Sequence, residues 1–159
     1  MTRTFQGIDH IIVMVNEIET SGEQFSRLGF QTGITQKHET HMGTHNKLVV
    51  LQNAYIELLG VHTPTEINAP MQMFMQGGDA LSSIGLLTDN AENSRIALNA
   101  RGLDAMPIMP FRQTIANSNE IAYVNIVQMP FNEKLGCLTF LCEYEKRELL
   151  MQPSHMVHD

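Results

Sequence analysis

The chain has 159 residues, 43% of them hydrophobic, which suits one ordinary folded domain, or two small halves sharing a core, and argues against disorder. A formal net charge of -7 with only ten Lys and Arg supplies no basic stripe to meet phosphates, so nucleic acid is not an expected partner. No apolar run nears the roughly 20 residues that cross a bilayer, and MTRTFQGIDH lacks the apolar stretch of a secretion signal, so the expectation is a cytoplasmic protein with no membrane partner.

DHIIVMV (9–15) reads as a strand, and NEIETSGEQFSRLGF after it carries Ile18, Phe25 and Leu28 at helical spacing with Gly29 as the stop. FQTGIT (30–35), HNKLVVL (45–51) and YIELLGV (55–61) read as three further strands, the last two joined tightly through QNA. Residues 62–79 hold Pro64, Pro70 and a Gly pair, which marks a connector with room for one short helical turn. Its methionines are expected to pack under a loop rather than bind copper.

The pattern then restarts. SIGLLTDNAENSRIALNARGLD (83–104) lies on HIIVMVNEIETSGEQFSRLGFQ (10–31) at a constant offset, strand on strand, helix on helix and Gly102 on Gly29. Further strands are expected at 105–111, 120–129 and 137–145. The simplest account is a duplication within a single domain, with two βαβββ modules at about 5–61 and 80–146. Two such modules cover each other's sheet edges by pairing. The expected fold is α+β, with curved mixed sheets around a cleft and the helices outside.

Alternation then selects side chains. Tyr55, Glu57 and Leu59 share one strand face, as do His10, Ile12 and Met14. A carboxylate inside a buried run needs a partner, and His10 with Glu57 could hold a divalent ion such as Zn, Mn, Fe, Ni or Co. The plainer alternative is a hydrogen bond or ion pair that satisfies both groups. In the second copy Ser83, a poor ligand, falls on His10. Glu143 is the counterpart of Glu57 if the second copy has longer turns around IANSN and FNEKLG. That makes Glu143 a third candidate ligand, with an exposed end-of-strand carboxylate as the alternative.

HETHMGTHN (38–46) has His at 38, 41 and 45, but HETH is one residue short of HExxH and Gly43 argues against a helix, so no zinc site is expected there. Gly43 instead lets the chain turn, and Thr44, His45 and Asn46 begin a strand at the cleft rim. There they hydrogen-bond a ligand, or their side chains simply hold the turn. Arg112 suits the carboxylate of a substrate, with a solvated surface Arg as the alternative. Cys137 and Cys142, five apart, would point to opposite faces of a strand and are read as buried packing residues. No G-x-S-x-G, P-loop or G-x-G-x-x-G occurs.

DHIIVMV, RLGF, GTHNKLVVL and YIELLGV, in this order, resemble the glyoxalase-like domain of the vicinal oxygen chelate superfamily, which includes glyoxalase, extradiol dioxygenase, epimerase and bleomycin-resistance proteins. ARGLD, Arg112 and FLCEYEKRELLMQP extend the resemblance more weakly over the rest of the chain. The resemblance implies a metal or substrate in the cleft, with His10, Glu57 and Glu143 as ligands. It further implies Glu57 and Glu143 as catalytic groups, and Thr44, His45, Asn46 and Arg112 against a small oxygenated substrate. The activity would be of lyase, isomerase or dioxygenase type. A non-catalytic small-molecule or drug binder of the bleomycin-resistance kind is the alternative, and a homodimer is expected in either case. Ser83 departs from the second histidine of glyoxalase-type members, and IANSN replaces their proline-aspartate-glycine turn.

Overall fold

The computed structural model describes residues 5–115 and 120–158. Its elements are β1 (Gly7–Met14), α1 (Ile18–Arg27), β2 (Gln36–Lys37), β3 (Thr44–Val50), β4 (Tyr55–Val61), α2 (Ala69–Met75), β5 (Ala80–Leu87), α3 (Ala91–Asn99), β6 (Met109–Thr114), β7 (Ile121–Gln128) and β8 (Leu138–Tyr144). The fold is α+β, and the order β1-α1-β2-β3-β4 recurs as β5-α3-β6-β7-β8. Contacts gather residues up to Ile11 with 82–150 into one unit and residues 12–81 with 151–159 into another.

The unit built on residues 12–81 has strand order β2-β3-β4-β1, with antiparallel ladders that set Leu48 opposite Glu57 and Asn46 opposite Leu59. Glu57 therefore shares a face with Tyr55, Leu59, Thr44 and Asn46, whereas Ile56 and Leu58 pack with Val15, Ile18 and Phe25 beneath α1. Gly29 ends α1 at φ 91°, where the N–H of Phe30 returns to the carbonyl of Phe25 and that of Gly29 to Ser26. Leu28 consequently caps the helix and is exposed instead of joining its apolar face. The strand expected at 30–35 is reduced for the same reason: Phe30 is spent on the cap, its ring against Phe25, and only Gln36–Lys37 form a ladder.

The other unit orders its strands β1-β5-β8-β7-β6, with β5 and β8 parallel and the β8-β7-β6 run antiparallel. Its core joins Ala91 and Leu98 of α3 to Val127 of β7, Leu141 of β8 and Ala105. The Asn90 side chain accepts from the N–H of Asn93 to start α3, and Gly102 at φ 80° ends it as Gly29 ends α1. β6 begins at Met109 rather than Ala105, because the Ala105 N–H is held by the Asn99 side chain at 2.7 Å beside the helix end. The IANSN turn falls largely on residues 116–119, outside the described residues. Among the described residues no helix is long and apolar enough to cross a membrane.

Candidate functional site

In the unit of residues 12–81 a polar network lies within the sheet. Gly43 reverses the chain at φ 61°, which sets His38 beside β3, its N–H donating to the Thr44 carbonyl. No side chain fits at that turn, since a Cβ on Gly43 would stand 2.1 Å from the Thr63 carbonyl oxygen. His38 Nδ1 meets Thr44 Oγ1 at 2.8 Å and its Nε2 meets Asn46 Nδ2 at 3.0 Å. Asn46 Nδ2 also donates to Glu57 Oε1 at 2.7 Å. An amide donor facing Nε2 requires that nitrogen to accept, which makes Nδ1–H the donor to Thr44. Burial holds the His38 imidazole below its ordinary pKa, with the Glu57 charge pulling it up and His62 pushing it down. A neutral ring is what this pattern needs.

Asn46 and Thr44 are buried, and Glu57 retains 8% exposure. Asn46 Oδ1 is buried with no hydrogen-bond partner among the described residues. A buried acceptor left unmatched costs about 1–3 kcal/mol and calls for an occupant. His45 does not join this group. Alternation turns it to the other face of β3, where it opposes Gly60 and its ring meets that of His62 at 5.5 Å. Gly60 makes room, since a Cβ there would stand 2.6 Å from His45 Nε2. Sequence reading grouped Thr44, His45 and Asn46 and passed over His38. The Gly43 turn was the available signal, because it folds His38 back along β3.

The second cluster lies in the unit that holds Asp9 and His10. Asp9 is fully buried, and its Oδ2 accepts from His10 Nδ1 and from the Tyr144 hydroxyl, each at 2.7 Å. Its Oδ1 accepts from Arg147 Nε, also at 2.7 Å. Burial alone would raise the Asp9 carboxyl, but the bonds and charge from His10, Tyr144 and Arg147 outweigh it and leave the pKa below the ordinary carboxylate range. The His10 ring stands edge-on to Phe140 at 5.2 Å, and glycine at position 85 gives it space.

Phe140, Cys142 and Tyr144 all face Asp9 and His10, so the odd-numbered residues of β8 face α3. Glu143 accordingly accepts from the Ala91 N–H at the start of α3 and from Asn125 Nδ2, both at 3.2 Å. It is not brought to His10. Strand alternation decides this, against the expectation that Glu143 is a ligand. Arg112 is exposed on β6 opposite Tyr123, and its neighbours Pro110 and Phe111 line a groove of about 440 Å³ with Asn125, Glu143 and Glu145. Cys137 and Cys142 are buried, and neither forms a disulfide among the described residues.

A family model described as a glyoxalase-like domain matches residues 8–156. The chain belongs to that family, and its fold is that of the vicinal oxygen chelate proteins. Among solved structures it is similar to methylmalonyl-CoA epimerase from Mycobacterium tuberculosis, at 18% identity and TM-score 0.68, over 90% of this chain and 91% of that one. A Streptomyces coelicolor methylmalonyl-CoA epimerase in complex with 2-nitronate-propionyl-CoA matches at 15% identity and TM-score 0.69, over 89% and 99%. A hypothetical protein from Staphylococcus aureus matches at 15% identity and TM-score 0.72, over 91% of this chain and 61% of that one. No curated protein matches the chain in sequence.

The family implies a divalent ion, and the donors can be tested for it. Asp9, His10 and Cys142 place potential ligand atoms within 4.8 Å of one another. The trio nevertheless fits an ion poorly, because both Asp9 oxygens already accept, one of them from a guanidinium that an ion would have to displace. His10 turns Nδ1 to the Asp9 carboxylate, a partner that metal-binding histidines commonly use for one ring nitrogen.

Proposed function

We propose that this glyoxalase-like protein binds a small oxygenated acyl metabolite and moves a proton on the carbon next to its carbonyl, an isomerase or lyase type of chemistry with Glu57 as the general base. One observation carries the reading: a nearly buried carboxylate is held at one oxygen by Asn46, beside a histidine kept neutral by burial. The Asn46 bond fixes where the carboxylate points, and a positioned carboxylate is what a general base requires. Asn46 Oδ1, unmatched among the described residues, supports the reading because a substrate O–H or N–H would satisfy it.

In this mechanism Glu57 takes the proton from the substrate carbon and returns it to the same or a neighbouring atom. Asn46 keeps Glu57 oriented, and Thr44, through His38, keeps Asn46 oriented. Acyl thioesters lead the substrate choice because the similar structures include an epimerase bound to methylmalonyl-CoA and one bound to 2-nitronate-propionyl-CoA.

The test is solvent exchange. A panel of 2-substituted acyl thioesters and free 2-keto and 2-hydroxy acids is incubated with the protein in deuterium oxide, and loss of the α-proton is followed by NMR. Exchange of at least one member supports the proposal. The second reading, a binder without turnover, is favoured by Glu143 being committed to α3 and by Ser83 standing where a second histidine would be. It predicts thermal stabilisation by panel members with no exchange.

A further inference from the structure

The segment HETHMGTHN offers no helical zinc motif, but the fold gives one of its histidines a partner from the neighbouring strand. His45 on β3 opposes Gly60 on β4, and His62, two residues beyond Gly60, lies diagonally across from it. The two rings stand 5.5 Å apart between centroids, with 60° between their planes. Neither nitrogen of His45 has a hydrogen-bond partner among the described residues. His62 Nδ1 meets Thr63 Oγ1 at 2.7 Å, and its Nε2 has no such partner there. We propose that His45 and His62 chelate a divalent transition ion of the zinc class, on the face of β3 turned away from Asn46 and Glu57.

The spacing suits a single ion. With roughly 2.0–2.1 Å from ion to nitrogen, the ion stands about 3.2 Å from each ring centre, so rings 5.5 Å apart subtend about 120° at it, close to the tetrahedral angle. The backbone is already fixed for this. His45 is held in the ladder between β3 and β4, and the Gly43 carbonyl accepts the N–H of both His62 and Thr63, each at 3.0 Å. Gly60 leaves the space that the His45 ring occupies, since a Cβ there would stand 2.6 Å from Nε2. The Thr63 hydroxyl can accept from His62 Nδ1–H, which leaves the lone pair on Nε2, the role polar partners play for metal-binding histidines. His62 is exposed and His45 partly so, which gives water access to the remaining positions on the ion. Lys37 stands opposite His45 in the β2 ladder and brings positive charge to this part of the sheet. That charge opposes an ion held by attraction alone and leaves the advantage to one that bonds imidazole nitrogen, as Zn does and Mg does not. Glu57 plays no part in the pair, so failure of the exchange test above would leave the proposal standing.

The test is titration of the native protein with zinc chloride at slightly alkaline pH, following the ¹H–¹³C signals of the histidine rings. His45 and His62 are assigned by the signals lost in His45→Asn and His62→Asn. Both sets of signals should move along one binding curve, and magnesium chloride should move neither. Each variant should weaken the response of the remaining histidine by at least about 10-fold. Different zinc curves for the two histidines would overturn the proposal, and so would a His62 response left intact in His45→Asn. An equal response to magnesium would overturn it as well, because charge rather than imidazole would then do the binding. Zinc taken up with both histidine signals unmoved would place the ion elsewhere, with the same result. Where His45→Asn does not fold, His62→Asn changes an exposed residue and decides through the His45 signals.

Discussion

Asn46 Nδ2 stands 2.7 Å from Glu57 Oε1 and 3.0 Å from His38 Nε2, so one fully buried amide orders both a carboxylate and an imidazole. Replacing Asn46 by Ala removes a donor from each and should lower stability by about 1–3 kcal/mol, the usual cost of leaving buried polar groups unmatched. Urea unfolding followed by circular dichroism measures it. An unchanged midpoint would show that the network has no structural weight.

Glu143 gives a second prediction, because it accepts from the first N–H of α3 instead of meeting His10. Glu143→Gln should cost on the order of 1 kcal/mol, the scale of a helix cap, and should leave affinity for added divalent ions as it was. Calorimetric titration with Zn or Mn checks this. A tenfold or greater loss of affinity in the variant would restore Glu143 as a ligand and contradict the register described for β8.

A pH dependence follows from Asp9. Its folded carboxyl is held below the ordinary range despite burial, so the folded state binds this proton less readily than the unfolded chain. The stability it contributes is present above the ordinary carboxylate pKa and is lost as the pH falls through the depressed folded value. The stability difference between the native protein and Asp9→Asn should therefore be greatest near neutrality, about 3 kcal/mol by the scale of a broken buried pair, and should shrink toward acid. A difference that does not vary with pH would argue against an ionised Asp9.

Gly43 sits at φ 61°, with the Thr63 carbonyl and the Asn68 side chain where a Cβ would go. Gly43→Ala should destabilise the fold by well over about 1 kcal/mol, and Gly33→Ala, at ordinary backbone angles, by much less. Thermal melting of the two variants side by side shows the contrast, and equal melting points would remove the turn's role in setting His38 beside Asn46.

Particular residues show what sequence could and could not reveal. Glu57 on the face of Tyr55 and Leu59 was legible from alternation alone, and Gly29 and Gly102 were legible as helix stops because left-handed caps select glycine. The offset that set Gly102 on Gly29 matches two helix ends with the same pair of returning hydrogen bonds. The parity of Glu143 was not legible, because nothing local says which face of β8 meets α3. His45, read with Thr44 and Asn46 as the start of a strand, lies on the opposite face from them by simple alternation, against Gly60. His38 and the Asp9 cluster depend on long-range geometry: a turn at Gly43 in one case, and Tyr144 and Arg147, more than a hundred residues away in sequence, in the other.

The proton-moving role of Glu57 is tested most directly by the rate of α-proton exchange into deuterium oxide for the native protein and Glu57→Gln, on the panel member that responds best. Gln keeps the Asn46 contact within reach but cannot take a proton. The variant should bind the compound, seen as an undiminished thermal shift, while exchange falls by about 100-fold or more. Exchange at the native rate in a folded Glu57→Gln protein would contradict the account.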